Sequence, residues 1–132
     1  CGLAPGLVNM LCLHGVERFE NPRAAHIRVG AIPMDPKPPF EFSFSWSAEK
    51  VLHDYTGPVR LIESGAKTDC EPLTRLERIS FGDRYDNLEA FCTAGGLASL
   101  PDRLEGRVQN LDLKTIRWPG HADRMRFLIG LG

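Results

Sequence analysis

VRLIESGAKTDC, running from Val59 to Cys70, decides the architecture of this chain. Val59 to Glu63 and a segment near Lys67 to Cys70 flank Ser64-Gly65, and a turn-forming pair between two strand-forming runs predicts a tight hairpin. A hairpin makes its two strands antiparallel. Working outward, Leu76 to Phe81 and Leu88 to Thr93 read as two more strands. Val108 to Trp118 contains another, closed by the Pro119-Gly120 break. Upstream, Ala25 to Ile32 is a strand with Ile27 and Val29 on one face. Phe40, Phe42, Phe44 and Trp46 alternate with Glu41, Ser43 and Ser45, which predicts a strand with a buried aromatic face. The four prolines between Pro33 and Pro39 make the preceding segment a loop, because proline neither donates to a ladder nor continues a helix.

Helices frame these strands. Pro5, followed by Leu7, Val8, Met10, Leu11, Val16 and Phe19, predicts a first helix entered at proline. Ser47 caps a second that runs to about Tyr55 and stops at Gly57-Pro58. Pro101 to Gly106 is a turn or a single helical turn, and His121 to Leu131 forms the last helix. Strands dominate, so the expected class is α+β: a mostly antiparallel or mixed β-sheet with helices on one face.

At 132 residues the chain has the length of one domain, residues 1–132. Its 42% apolar and 25% charged residues and net charge of −1 exclude a disordered chain. A near-neutral balance gives no global electrostatic reason to bind nucleic acid or an anionic membrane. No apolar run approaches the ~20 residues that span a bilayer. Cys1, Cys12, Cys70 and Cys92 are too sparse for a disulfide scaffold, and with His14, His26, His53 and His121 they show no zinc-ligand spacing. Free thiols, no metal and a reducing, cytoplasmic setting are expected. The chain opens Cys1-Gly2-Leu3, and Met125, Phe127, Leu128, Ile129 and Leu131 are apolar on more than one face of the last helix. Both features are read as those of a piece of a longer chain, with a neighbouring domain over that helix or, alternatively, the helix sunk in this domain's own core.

The chain holds no G-x-G-x-x-G, phosphate loop or G-x-S-x-G elbow. Cys92, just before Gly95-Gly96, is read as a small hydrophobe rather than a nucleophile. Three segments retain functional potential. Gly2 to Asn9 is a turn feeding a helix whose first amides face outward for a ligand, or simply a helix start. Thr93-Ala94-Gly95-Gly96-Leu97 lets backbone approach a ligand closely, or is a tight turn. Lys114 to His121 combines a cation suited to a carboxylate with an imidazole beside a rigid break, or is a surface arginine with a helix-capping histidine.

These segments also carry a family likeness. GLAPGLVN, RVGAIP, FSFSWSAEKVL, DYTGP, LEAFCTAGGLASLP and LKTIRWPGH occur in this order. Together they resemble the C-terminal domain of the saccharopine dehydrogenase family, nearest its L-lysine 6-dehydrogenase branch. Ala94 departs from that branch, where an acidic residue is expected.

The resemblance implies the substrate-binding and dimerisation domain of an NAD(P)-dependent oxidoreductase, similar in fold to the C-terminal domain of glyceraldehyde-3-phosphate dehydrogenase. An upstream Rossmann domain would hold NAD or NADP, and the fragment alone would hold no cofactor and be inactive. The substrate would be an amino acid, with hydride leaving the ε-carbon of lysine, and the enzyme a homodimer. Asn9, Thr93, Gly95, Gly96 and Arg117 would then bind substrate, with Arg117 on its carboxylate. Pro5 and Gly6 would face the cofactor, and His121 would be the catalytic proton-transfer group. The alternative is a non-catalytic dimerisation or scaffold module with the same fold.

Overall fold

A computed structural model describes residues 2–132. The elements are α1 (Leu7–Val16), β1 (Ala24–Gly30), α2 (Ala48–Thr56), β2 (Val59–Glu63), β3 (Ala66–Cys70), β4 (Glu77–Ile79), β5 (Leu88–Cys92), α3 (Leu100–Leu104), β6 (Asn110–Arg117) and α4 (His121–Gly130). The hairpin forms where the turn chemistry places it. Ser64 and Gly65 both take positive φ, 51° and 85°, as a two-residue turn matched to strand twist requires. Val59 then faces Cys70 and Glu63 faces Ala66 across the ladder.

β6 is the hub of the six-stranded sheet, whose order is β3-β2-β6-β5-β4 with β1 paired to β6. β1 runs parallel to β6 from the Ala24–Asn110 pair to Gly30–Ile116. β5 meets it antiparallel from Glu89–Arg117 to Cys92–Lys114, and β2 touches it at Ile62–Leu111. The sheet is therefore mixed. Directly paired residues share a face, so Ile27, Val29, Phe91, Leu111 and Leu113 all point one way. Against Ile27, Val29, Leu111 and Leu113 pack Val8 and Val16 of α1 and Leu100 and Leu104 of α3. Against Phe91 pack Val51 and Tyr55 of α2 and Ala122 and Met125 of α4. The four α-helices thus lie on one face of the sheet.

The opposite face clusters Leu88, Ala90 and Ile116 with Ile79, Tyr85 and Trp118. It also carries an ion network in which Arg28 bridges Glu77 and Asp112 while Lys114 reaches Glu77 at 2.7 Å. These partners hold the Glu77 carboxyl below its ordinary range despite the desolvation that pushes it up.

One expected strand is absent. Residues 40–46 run as a turn at 40–41, an irregular stretch at 42–44 and a bend at 45–46, with Glu41 at φ 47° and its amide donating to the Lys37 carbonyl. Phe40 and Phe42 pack on the α2–α4 cluster, whereas Phe44 and Trp46 are exposed. Phe42 meets the rings of Phe44 at 5.2 Å and Trp46 at 6.4 Å edge-on, so three of these aromatics bury area against one another. Alternation records spacing, but a strand also needs a free sheet edge, and this segment reaches none.

The α4 expectation stands differently. Ala122 and Met125 enter the core, while Phe127, Leu128 and Leu131 remain exposed. Leu7, Met10 and Leu11 of α1 and the nearby Phe19 are exposed too. Among the described residues, no helix is long and apolar enough to cross a membrane.

Candidate functional site

Beyond β5 the chain enters Thr93-Ala94-Gly95-Gly96-Leu97. The Ala94 amide donates to the Asp54 carbonyl at 2.8 Å, tying this turn to the end of α2. Gly95 has φ 79°, and a side chain there would start 3.5 Å from Asp54 Oδ1. At Gly96 an added Cβ would strike Leu113 at 2.9 Å. Glycine at 95 and 96 therefore keeps one side of the turn open and lets the other lie flat on β6. Asn9 joins the turn to α1: its Nδ2 donates to the carbonyls of Gly96 (3.2 Å) and Leu97 (2.9 Å), and its Oδ1 accepts from the Gly6 amide.

The open side is a cavity of about 530 Å³, within the range of small-molecule sites. Gly2, Leu3, Ala4 and Pro5 form one wall; Val29, Ala31 and Trp46 another; Asp54, Thr93 to Gly96, Leu113, Thr115 and Arg117 complete it. The hydroxyls of Thr93 and Thr115 hydrogen-bond at 2.7 Å.

Arg117 is 4% exposed and would be costly to bury without partners. Its Nε donates to the Tyr55 hydroxyl at 3.1 Å, and its Nη1 donates to the carbonyls of Ile116 (2.9 Å) and Ala31 (3.4 Å). The guanidinium carbon lies 4.8 Å from the Phe42 ring centroid, a cation–π contact. Among the described residues Nη2 donates to nothing. Tyr55 in turn meets His121 Nε2 at 3.0 Å, and His121 Nδ1 meets the Phe40 carbonyl at 3.1 Å. A carbonyl only accepts, so Nδ1 carries the proton and Nε2 accepts from the tyrosine. The chain of donation runs from Arg117 through Tyr55 and His121 to Phe40. Burial lowers the His121 pKa, and the nearby Arg117 charge adds to that, which keeps the imidazole neutral. Glu89 anchors the start of α4, accepting from the amides of Gly120 (2.8 Å) and Ala122 (2.7 Å) at the positive end of the helix.

Of the residues singled out in the sequence, Pro5, Thr93, Gly95, Gly96 and Arg117 line the cavity together. Gly6 and Asn9 line an adjoining groove instead. His121 does not line the cavity; it is 1% exposed and reaches Arg117 through Tyr55. The amides at the start of α1 are spent internally, Leu7 on the Gly2 carbonyl, Val8 on that of Leu3 and Asn9 on that of Gly6, so they offer no ligand site. Burial beside Cys70 pushes the fully buried Cys92 thiol up to about 12, which suits an inert core residue.

Sequence reasoning passed over Asp54, Tyr55, Trp46 and Thr115. Asp54 and Tyr55 stood within DYTGP, where Val51 and Tyr55 at i, i+4 mark the buried face of α2 and place Asp54 at its edge. A larger groove, about 770 Å³ between α1 and β1, is apolar along Val8, Leu11, Val16 and Phe19, and none of Pro5, Gly6, Asn9, Thr93, Gly95, Gly96, Arg117 and His121 borders it.

A family model described as the saccharopine dehydrogenase C-terminal domain matches residues 2–132. The chain belongs to that family. Among solved structures, this saccharopine dehydrogenase C-terminal domain is similar to apo histidine-tagged saccharopine dehydrogenase (L-Glu forming) from Saccharomyces cerevisiae. The TM-score is 0.73 over 97% of the chain at 15% identity, a likeness of fold. The domain spans 31% of that protein's length, about a third. The amides at the start of α1, satisfied internally, make no cradle for the phosphates of a dinucleotide.

Proposed function

We propose that this domain is the substrate-binding and dimerisation part of a larger NAD(P)-dependent oxidoreductase acting on an amino acid. On this reading its own share is binding and orientation rather than proton chemistry. The supporting observation is the cavity beside Gly95-Gly96, where Arg117 presents an unengaged Nη2 beside Thr93 and Thr115. A guanidinium held in plane by its other nitrogens suits a carboxylate, since little rotamer freedom is lost on binding. Val29, Leu113 and Trp46 supply apolar walls that exclude water from the bound ligand. A nicotinamide bound by an upstream Rossmann domain would supply the hydride chemistry. Pro5 lies on the cavity rim where such a domain would close.

His121 serves this site as a positioning residue: through Tyr55 it fixes the guanidinium plane of Arg117. Lysine, oxidised at its ε-carbon, is the substrate we propose for the whole enzyme. The exposed apolar residues of α1 and α4 are the surfaces for the partner domain and the second subunit.

The non-catalytic module with the same fold is the second reading, and the family and fold matches support it more directly, since neither requires catalysis. Its support is that, among the described residues, Asp54 is the one carboxylate or imidazole lining the cavity, because His121 is enclosed. Amino-acid-dependent reduction of NAD(P)+ by the full-length protein separates the two. Turnover that falls in Arg117→Met while the dimer persists supports the enzyme. No turnover on lysine, saccharopine or other amino acids, with the dimer intact, supports the scaffold.

A further inference from the structure

Asp54 is the sole carboxylate among the cavity-lining residues. It caps nothing and, among the described residues, its side chain makes neither an ion pair nor a hydrogen bond, although Arg117 lines the same cavity. Asp54 Oδ1 borders Gly95, where a Cβ would sit in van der Waals contact with it at 3.5 Å, so glycine leaves that side of the carboxylate uncovered. Burial raises the Asp54 carboxyl above its ordinary value, partly countered by the charges of His53, Arg117 and Lys50. The cavity therefore holds a carboxyl and a guanidinium that feel each other's charge but make no direct ion pair. Partly desolvated charges of this kind are stabilised by a ligand bringing the opposite signs.

We propose that Asp54 anchors a cationic amine of the ligand while Arg117 Nη2 anchors its carboxylate, so that the cavity selects zwitterionic amino acids over neutral or purely anionic molecules. This rests on the amino-acid reading above and adds the residue that sets specificity. An ammonium placed on Asp54 stabilises the ionised carboxylate, so binding releases a proton wherever Asp54 is partly protonated beforehand.

The test is titration calorimetry on the full-length, cofactor-bound protein with lysine, 2-aminohexanoate, 6-aminohexanoate and hexanoate. Lysine is expected to bind the wild type at least about tenfold more tightly than hexanoate, the scale of one charged hydrogen bond. Asp54→Asn should erase that preference and the buffer-dependent proton release, and Asp54→Glu should restore part of both. Equal lysine affinity in the wild type and Asp54→Asn would overturn the role of Asp54 while leaving the amino-acid reading intact. A wild type that binds none of the amino acids would overturn that reading, and this proposal with it. Thermal melts of both variants check that the fold survives.

Discussion

Leu111 and Arg117 lie six residues apart on the same face of β6 and are almost equally buried, at 0% and 4% exposure. Leu111 is held by an apolar cluster drawn from α1, α3 and the neighbouring strands. Arg117 is held by directed bonds to Tyr55, Ile116 and Ala31, backed by His121 and Phe40. One end of the strand is stabilised by area removed from water, which tolerates any well-fitting hydrocarbon. At the other end each partner must be present and correctly protonated. The cavity opens at the second end. A strand can thus be core at one end and cavity-lining at the other along one face, with the change marked by how burial is satisfied.

Leu111→Ala should have the largest effect, about 2–5 kcal/mol of stability from lost burial and the cavity left behind. It is read from urea unfolding of the full-length protein, and Arg117-dependent binding should survive in the fraction that stays folded. Tyr55→Phe keeps the ring but leaves Arg117 Nε and His121 Nε2 without partners, costing about 1–3 kcal/mol. Unlike Leu111→Ala, it should also weaken amino-acid binding by loosening the guanidinium, seen as a raised KM.

The third test is pH. Burial depresses the folded-state pKa of His121, so its contribution to stability is present above about 6.5, its ordinary value, and is lost as pH falls from there toward the folded-state pKa. Unfolding midpoints should therefore drop over that interval. In His121→Gln, which retains a donor and an acceptor, this part of the drop should vanish. An unchanged pH profile would mean that the imidazole is not the group being titrated. The smallest effect is expected for Thr115→Val, about 0.5–1.5 kcal/mol from the lost hydroxyl pair with Thr93.

The hairpin, β5, β6 and the capped start of α2 were legible because each is dictated locally, by turn residues, a cap or alternation. Ser47 indeed accepts from the Lys50 amide. The aromatic run at 40–46 misled because period-two spacing says nothing about whether a pairing edge is available. At the site, Gly95, Gly96 and Arg117 could be picked out by residue type. Tyr55 could not, since its role depends on contacts 62 and 66 residues away in sequence. His121 was conspicuous as an imidazole after a break, yet chemistry alone could not reveal that Tyr55 stands between it and Arg117. Asp54 was hidden for a similar reason, as its carboxylate is brought to the cavity only when the end of α2 docks on the Gly95 turn.

On the proposed function, the cavity beside Gly95 and Gly96 receives the substrate. A crystal structure of the full-length protein with its nicotinamide cofactor and lysine addresses it directly. The expected result is lysine in this cavity, its carboxylate about 2.7–2.9 Å from Arg117 Nη2 and the rim at Pro5 turned toward the nicotinamide. Lysine bound elsewhere, or a partner-domain side chain filling the space beside Arg117, would contradict the assignment.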